Sequence, residues 1–500
     1  MVPARRRAGR ALIAALVLLA LASPPAVADV EGKAVAVQSL AGGAKRIKYK
    51  IGPFDIVPGQ NEIGFAPILE RPQRDGWFTR IRPDLTYLGG RVPGVDVIHL
   101  HHGVWLNTSR RSATSPLPVE PFFAAGEEKT ILRLPRGYGY PIKRSDGLLL
   151  NHMIHNLTPV PTKVWMVYEV DFVPKGSRAA RGMRNVRPIW MDVQNGSLYP
   201  VFNVKKGSGG NGRYTYPDEA RNPYRGGPRR NEWKVDKPGV LVATAGHLHP
   251  GGLYTDLKVR RRGKTAPLFR SRAKYFEPAG AVSWDVAMTG TPLDWRVKLR
   301  KGDVLSTSAT YDTSRGAWWE SMGIMVAYMA RGVPGQNPFI TKVNRRGSVT
   351  HGHLPENDNH GGGRTGLPDP RTLPDGPENP GFVDLLDFKY RLGDLSLADP
   401  QRNPPVIRSG QTLTFRDAGD NAKKIYHSIT SCKPPCNRST GIAYPLADSN
   451  VQFESGTLGT ASPPATGALQ WTTPSNLGPG TYTYFCRIHP FMRGAFRVKQ

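Results

Sequence analysis

Three side chains near the C-terminus are of types that bind soft metals. Cys486, His489 and Met492 follow one another at three-residue steps, directly after an aromatic run. A thiolate, an imidazole and a thioether form the ligand set that copper selects over magnesium, calcium or manganese. A blue-copper site uses two histidines and one cysteine close to the metal, with a weak axial methionine. The spacing therefore predicts one more histidine upstream, on a neighbouring strand.

The histidine best placed to complete this set is His427. It lies in a run rich in β-branched residues, about sixty positions before Cys486 and in the same predicted domain. A structural histidine in a small β-domain is the alternative interpretation. With His489-Pro490-Phe491-Met492 beside Cys486, the segment resembles the cupredoxin family, and amicyanin-type proteins in particular. The resemblance covers about 120 residues. It implies a β-sandwich with one type 1 copper that transfers single electrons, held by His427, Cys486, His489 and Met492.

The cysteine count agrees with this assignment. Of the three cysteines, Cys432 and Cys436 stand four apart around a Lys-Pro-Pro turn, and they can pair as a disulfide in an oxidising compartment. Cys486 is left over, and metal binding would explain an unpaired thiol in an exported protein.

The twelve histidines are clustered rather than scattered. They stand in short groups: 99, 101 and 102; 152 and 155; 247 and 249; 351, 353 and 360; 427; 489. On a strand, alternation puts His99 and His101 on one face and His102 on the other, and any His-x-His pair makes a compact metal-binding unit. Ligand type predicts two further metal sites, one with three imidazoles and one with two imidazoles and a thioether. Three nitrogen ligands suit copper or zinc, and the added methionine favours Cu(I) in the second site.

The order of these ligands resembles that of the copper type II, ascorbate-dependent monooxygenases. In that family a His-His pair, an isolated histidine, a His-x-His and a final methionine hold two coppers. The matching residues here are His101, His102 and His152 for the first site, and His247, His249 and Met322 for the second. The resemblance implies electron transfer at the first copper and oxygen activation at the second, so the second set would be catalytic. The arrangement also resembles the stress up-regulated nodulin family.

Several assignments within these sites stay open. His155 could replace His152, since both lie in one strand-like run, and Met325 competes with Met322 because methionine in an apolar strand usually fills the core. The chain has no cysteine between residues 29 and 431, so the stabilising disulfides of the hydroxylases are absent. Four histidines have no counterpart in that family and predict either an auxiliary metal site, polar capping or the orientation of a ligand: His99, His351, His353 and His360.

Composition places these residues in an all-β protein. The chain has 55 glycines and 46 prolines, few helical runs, and short apolar runs between turn residues. Its 500 residues exceed one ordinary core. We predict two jelly-roll-like β-sandwiches followed by a C-terminal cupredoxin β-sandwich. The predicted boundaries are a signal peptide at 1–28, sandwiches at 29–195 and 196–344, a Gly/Pro-rich linker with a His cluster at 345–380, and the cupredoxin domain at 381–500.

The first 28 residues have the pattern of a secretory signal. Four arginines precede an apolar run from Ala11 to Ala22, and Ala26-Val27-Ala28 is a small-residue cleavage site. The apolar run is too short to span a bilayer, so the sequence predicts no transmembrane anchor. We expect a secreted, extracytoplasmic protein in a periplasm, cell wall or medium, after cleavage near Ala28.

Charge and ligands together define two hypotheses of function. The formal net charge of +29 makes an acidic cell-surface polymer a candidate partner, while the lack of a recognition motif argues against nucleic acid. In the first hypothesis the chain is a multicopper oxidoreductase. Its C-terminal domain takes electrons from a small redox partner or reductant and serves a module that hydroxylates a small organic substrate with molecular oxygen. In the second it is a non-catalytic copper carrier or copper-handling protein.

Overall fold

The computed structural model describes residues 33–59, 63–116, 118–195, 200–358, 366–436, 445–447, 451–460 and 467–500. The predicted signal peptide and His360 lie outside these ranges. Within them the chain forms strands, turns and short 3-10 helices, and the predicted all-β class is confirmed. The 3-10 helices are Ala41–Gly43, Arg178–Ala180, Gly280–Val282, Pro355–Asn357, Asp420–Lys423 and Pro445–Ala447. No helix in the described part of the chain is long and apolar enough to cross a membrane.

The first part of the chain forms two facing sheets. Its strands are β1 (Lys33–Ser39), β2 (Lys45–Ile56), β3 (Gly64–Pro67), β4 (Gly76–Tyr87), β5 (Ile98–Asn107), β6 (Glu120–Gly126), β7 (Leu132–Arg133), β8 (Tyr138–Ile142), β9 (Leu148–Asn156) and β10 (Thr162–Pro174). In one sheet β10 pairs with both β2 and β4, and in the other the order is β3-β9-β5-β6. Trp105, Leu150 and Met166 meet in the core between them.

The middle of the chain adds a second core. Its strands are β11 (Arg184–Asp192), β12 (Phe202–Val204), β13 (Arg213–Tyr216), β14 (Glu232–Lys234), β15 (Gly239–His247), β16 (Gly252–Arg261), β17 (Lys264–Tyr275), β18 (Val286–Gly290), β19 (Val297–Leu299), β20 (Val304–Asp312), β21 (Trp318–Ser321), β22 (Ile324–Ala330) and β23 (Ser348–Val349). β22 pairs with both β11 and β15. Successive residues of β22 point into different cores. Val326 and Tyr328 pack into the core of the first part of the chain, and Met325 and Ala327 pack into the second core. Burial on both faces explains why β22 is apolar at every position instead of alternating.

The C-terminal part is a small sandwich. Its strands are β24 (Phe382–Leu386), β25 (Lys389–Tyr390), β26 (Val406–Arg408), β27 (Thr414–Asp417), β28 (Thr430–Cys432), β29 (Gln470–Thr472), β30 (Gly480–Phe485) and β31 (Arg493–Lys499). Two four-stranded sheets, β25-β24-β27-β29 and β26-β31-β30-β28, enclose Phe415, Tyr484 and Phe496. A disulfide joins Cys432 at the end of β28 to Cys436. The predicted domain boundaries stay a prediction.

One buried hydroxyl ties the middle strands to the region where the histidines gather. Tyr311, in β20, donates a hydrogen bond to the carbonyl of Met322 at 2.7 Å. The same oxygen accepts the amide N–H groups of His249 and Met322, each at 3.1 Å. Tyr311 has no exposed surface, so water cannot replace these bonds. The hydroxyl therefore fixes the backbone at two predicted ligand positions.

We predict that Tyr311→Phe destabilises the protein more than Tyr328→Phe does. The first change leaves three backbone groups without their partner, and each buried unpaired group costs about 1–3 kcal/mol. Tyr328 is the matched control, since it is equally buried and donates only one hydrogen bond, to the carbonyl of Phe122 at 2.8 Å. The free energy of unfolding, measured with urea, should fall further for Tyr311→Phe. Equal losses in the two variants would contradict this role.

Candidate metal centres

The hairpin loop between β30 and β31 carries three of the predicted C-terminal ligands: Cys486, His489 and Met492. The loop is closed by backbone hydrogen bonds from Met492 to His489 at 2.8 Å and from Cys486 to Met492 at 3.3 Å. His427 lies beside the loop because it precedes β28, which pairs with β30. Donor atoms of His427, Cys486 and His489 all lie within 4.8 Å of one another. Met492 is buried in the same core cluster as Cys486.

Hydrogen bonds orient each of these donor groups. His427 donates from Nε2 to Oδ2 of Asp420 at 2.9 Å, which leaves its Nδ1 without a hydrogen-bond partner among the described residues. Sγ of Cys486 accepts the amide N–H groups of Ser428 at 3.3 Å and His489 at 3.4 Å. Nδ1 of His489 lies 3.5 Å from the same Sγ. A buried nitrogen with its lone pair free, held by a carboxylate on the far side of the ring, is the usual form of a metal-binding histidine.

The electrostatics of this group favour an ionised thiol. Burial raises the pKa of Cys486, but the charges and hydrogen bonds of His489 and His427 outweigh burial and hold that pKa well below the ordinary value. For His427, burial alone would lower the pKa. The hydrogen bond to Asp420 and the interaction with Cys486 outweigh burial and raise the pKa of His427 to about 9. The thiolate is the form of cysteine that binds metals. The residues present therefore fit a metal ion.

Four histidines of the N-terminal half form what we call the imidazole cluster: His99, His101, His155 and His249. Ring nitrogens of His99, His101 and His155 lie within 4.8 Å of one another. The rings of His101 and His155 stack with centroids 4.3 Å apart, and the ring of His249 lies 4.0 Å from that of His101. The cluster forms because β5 and β9 are neighbours with His99 opposite His155, while His249 follows β15.

Oxygen atoms lie against one ring nitrogen in two members of the imidazole cluster, His101 and His249. His249 donates from Nδ1 to the carbonyl of Glu320 at 2.6 Å. Nδ1 of His101 lies 2.9 Å from Oε1 of Glu127. The Nε2 atoms of His101 and His249 are then left buried, with no hydrogen-bond partner in the part of the chain that the structure describes. Such orphaned nitrogens fit a metal ion, because a lone pair in a dry site needs a partner.

Burial keeps the cluster uncharged. It lowers the pKa of His99 to about 4 and places the pKa values of His101, His155 and His249 well below the ordinary range, where the mutual repulsion of the rings adds to the effect. A neutral imidazole offers a lone pair, and a protonated one does not. These rings are therefore in the form that binds a metal.

A second group lies at the edge of the imidazole cluster. His102, His247 and Met322 line a cavity of about 80 Å³ whose other walls are mostly apolar. Its apolar walls include Val104, Leu106, Val119, Ala124, Trp190 and Ile324. Nδ1 of His247 lies 3.1 Å from Oε2 of Glu128, and its Nε2 has no hydrogen-bond partner among the described residues. Two histidines and one methionine, which carry ligand-type side chains, thus line the same cavity.

The structure separates the three residues of the first predicted N-terminal site. His101 lies in the imidazole cluster, whereas His102 lines the cavity and has its Nε2 3.1 Å from Oδ1 of Asn151. His152 packs on the ring of Phe54, with centroids 4.3 Å apart, outside the imidazole cluster. His155, the alternative to His152, is the residue of β9 that joins His101.

The structure also divides the second predicted site. His247 and Met322 line the same cavity, while the ring of His249 lies on His101. The rings of His247 and His249 remain neighbours, with centroids 5.1 Å apart, so the two groups form one continuous set of ligand-type side chains. Met325, the alternative to Met322, lies in the second apolar core.

Two histidines of the predicted linker, His351 and His353, contact residues outside the linker. Nε2 of His351 donates to the carbonyl of Glu128 at 2.6 Å. His353 lies between the carboxylates of Asp285 at 2.5 Å and Asp358 at 2.6 Å, and its hydrogen bond to Asp358 raises its pKa although burial opposes the shift. The ring nitrogens of both histidines contact oxygen atoms of the protein, as polar capping would require.

Three carboxylates that orient the histidines were missed in the sequence: Glu127, Glu128 and Asp420. Glu127 and Glu128 are almost fully buried, and burial raises the pKa of Glu127 well above its ordinary value. The available signal is the pair of adjacent acids directly after the apolar strand β6. Asp420 stands seven residues before His427 in a polar stretch, and its sequence context gives no comparable signal.

Comparison with known proteins yields little. No family model and no curated protein matches the chain. Among solved structures, the chain is similar to a copper-containing nitrite reductase from Thermus scotoductus SA-01, at 12% identity and a TM-score of 0.14, over 52% of this chain and 55% of that one. The chain thus spans about half the length of that enzyme. A likeness of this size does not indicate a function.

We predict that the metal-free protein loses stability as the pH falls from about 6.5 towards 4. Burial lowers the pKa of His99 and His152 to about 4 and that of His102 to about 3. Unfolded histidine titrates near 6.5, so between these values the unfolded chain binds protons that the folded chain does not. Each such histidine removes up to about 1.4 kcal/mol per pH unit.

The measurement is urea unfolding of metal-free protein at several pH values, with His152→Phe as the test variant. Phenylalanine keeps a ring against Phe54 and cannot bind a proton. The dependence of stability on pH should therefore be shallower in the variant by about one proton. An unchanged slope would show that His152 titrates alike in the folded and unfolded chains.

Proposed function

We propose that this chain is an exported copper redox protein. Its C-terminal sandwich would carry a type 1 copper that exchanges single electrons with a histidine-rich centre in the N-terminal half. The observation that carries the proposal is the buried convergence of His427, Cys486 and His489, with Met492 in the same core. Two imidazoles, one thiolate and a thioether are the blue-copper ligand set. Export is proposed from the N-terminal sequence pattern alone.

Each residue of the C-terminal site has a definable part in this function. Bound copper would supply one-electron oxidation and reduction. Cys486 would be its main sulfur ligand, and the amide N–H bonds to Sγ from Ser428 and His489 would stabilise the charge on that sulfur. Asp420 would hold the ring of His427, as carboxylates do for metal-binding histidines. Full burial of the ligands excludes water, which limits structural change when the charge of the site changes.

The N-terminal half supports a proposal of oxygen-dependent hydroxylation. His102, His247 and Met322 combine nitrogen and thioether donors, a set suited to Cu(I), beside a mostly apolar cavity. The imidazole cluster adds nitrogen donors that would hold a second copper, giving three coppers with the C-terminal site. A small organic substrate would bind in the apolar cavity, which is the usual form of a small-molecule site. Glu128 would position His247 for this reaction through its contact with Nδ1.

Non-catalytic copper carriage is the second candidate. The complete burial of His427, Cys486 and His489 suits a stable copper site as well as an electron-transfer site. In that case the N-terminal groups would bind copper without turnover. The two candidates share the C-terminal site and differ in whether the cavity beside Met322 binds a reactant.

We predict that copper(II) gives the protein an intense visible absorption that Cys486→Ser abolishes. The absorption would arise from charge transfer between Cys486 and copper, so a hydroxyl in place of the thiolate removes it. Copper per chain, measured on the same samples, should fall by one equivalent while the N-terminal sites remain loaded. The matched control is the double variant Cys432→Ser/Cys436→Ser, which removes the disulfide and keeps the absorption. A colourless wild type with full copper occupancy would exclude type 1 geometry.

We predict that Met322→Leu abolishes oxygen consumption by copper-loaded, reduced protein, whereas Met325→Leu does not. Both methionines are buried, and leucine has a similar volume, so the two variants should be similarly folded. Of the two methionines, Met322 lines the cavity with His247, whereas Met325 lies in the second apolar core. Oxygen uptake after addition of a small reductant is the measurement. Uptake that is the same in wild type and Met322→Leu would refute the role of Met322, and no uptake in the wild type would favour copper carriage.

A further inference from the structure

The ring of His489 is covered by the N-terminal half of the chain. Its exposed fraction is 0%, and the backbone of Gly59, which follows β2, lies directly against it. A Cβ atom at position 59 would stand 1.7 Å from Nε2 of His489, far inside van der Waals contact. Gly59 also has φ of +56°, a conformation that favours glycine. Glycine at this position therefore lets the main chain meet the ring edge.

Gly59 connects His489 to the imidazole cluster by a single hydrogen bond. Its amide donates to the carbonyl of Asn156 at 2.7 Å. Asn156 is bonded to His155, whose Nδ1 lies 3.3 Å from Nε2 of His99. The route between the two metal centres thus consists of one van der Waals contact, one hydrogen bond and a short covalent stretch.

Arg487 provides a second connection to the imidazole cluster. It lies in the ligand loop, the hairpin loop between β30 and β31 that carries Cys486, His489 and Met492. It is bonded to Cys486, and its guanidinium donates to the carbonyl of Ala317. Three residues further along, the carbonyl of Glu320 accepts the hydrogen bond from Nδ1 of His249. This route reaches the imidazole cluster at His249, whereas the first reaches it at His155.

Other contacts hold the two halves in this arrangement. The amide of Val451 donates to the carbonyl of Arg315 at 2.9 Å, and the amide of Ala317 donates to Oε1 of Glu454 at 2.8 Å. Arg487 also lies over the ring of Trp319, 4.5 Å from its centroid. Main-chain bonds, a carboxylate and a stacked guanidinium together make a specific interface rather than a loose contact.

We propose that Gly59 and Arg487 form an internal electron junction between the C-terminal site and the imidazole cluster. This inference rests on the proposed function. One electron leaves Cu(I) at the C-terminal site, which becomes Cu(II), and reduces one Cu(II) at the imidazole cluster to Cu(I). No bond forms or breaks and no proton moves. Gly59 and Arg487 act as positioning residues, because they hold the ligand loop of one centre against the residues of the other.

The test follows electron redistribution within the oxidised, fully copper-loaded, full-length protein. A radiolytic pulse delivers less than one electron per chain without oxygen, and the visible absorption of the Cys486 site is recorded with time. We expect a first-order phase whose rate constant is independent of protein concentration. Phases that all scale with protein concentration would overturn the proposal, since transfer would then occur between molecules.

Variants identify the junction. Gly59→Ala should slow the first-order phase by displacing the His489 ring, and Arg487→Met should slow it while keeping an unbranched side chain over Trp319. The matched control is Arg416→Met, because Arg416 also stacks on an aromatic ring, 4.2 Å from the centroid of Phe382, but outside this interface. The reduction potential of the visible site, measured in each variant, separates a change of coupling from a change of driving force.

The outcomes separate this proposal from the function on which it rests. A copper-loaded wild type without visible absorption would refute the type 1 site itself. An absorbing wild type whose first-order phase is unchanged in both Gly59→Ala and Arg487→Met would overturn the junction alone. Arg487→Met carries the test by itself where Gly59→Ala does not fold. Loss of the phase in His101→Ala/His249→Ala would identify the imidazole cluster as the acceptor, and its persistence there would overturn that assignment.

Discussion

The need to satisfy both nitrogens of a buried histidine ring governs the organisation of this protein. A neutral ring has one N–H and one lone pair, and each is costly to remove from water without a partner. Oxygen atoms of Glu128, Glu320 and Asp420 lie against one nitrogen of each ring that they contact. The other nitrogen then has a lone pair and no hydrogen bond within the described chain. Burial opposes protonation of His249, and the proton that His427 retains would be released when a metal ion binds. A metal ion is therefore a partner that matches these sites chemically.

This constraint explains where the centres lie in the fold. The histidines stand where paired strands end or where two layers meet, so that polar backbone groups from turns can reach the rings. β22 shows how this is combined with stability: it is buried on both faces and packs into two apolar cores. Just before it, the chain turns at Met322, whose backbone is held by Tyr311. The apolar layers thus provide a rigid frame, and the polar contacts are confined to its edge.

The sequence predicts those parts of the sites that depend on local spacing. Cys486, His489 and Met492 lie on one short loop, so their proximity follows from the chain itself. The alternation of His99, His101 and His102 along β5 is likewise a local property. The grouping across strands is different, because it depends on which strand pairs with which and in what register. His155 rather than His152 joins the imidazole cluster because of the pairing of β9 with β5, and no spacing within either strand determines that pairing. Contacts between distant segments, such as that of Gly59 with His489, have no sequence signal of this kind.

The contact between Gly59 and His489 affects both the exposure of the C-terminal site to water and its access to a protein partner. It covers the ring of His489, which has no exposed surface, and this favours a dry site around Cys486. It also places the N-terminal main chain where a diffusing protein partner would otherwise bind. Tethering of the two halves makes their encounter intramolecular, so no favourable surface for a transient partner is needed at this edge. In the proposed function, electrons from outside would therefore come from a small reductant or through another surface, and they would pass on to the imidazole cluster. In the proposed function, the contact of this single glycine with His489 would join the C-terminal site to the imidazole cluster, and the C-terminal domain would not act as an independent carrier.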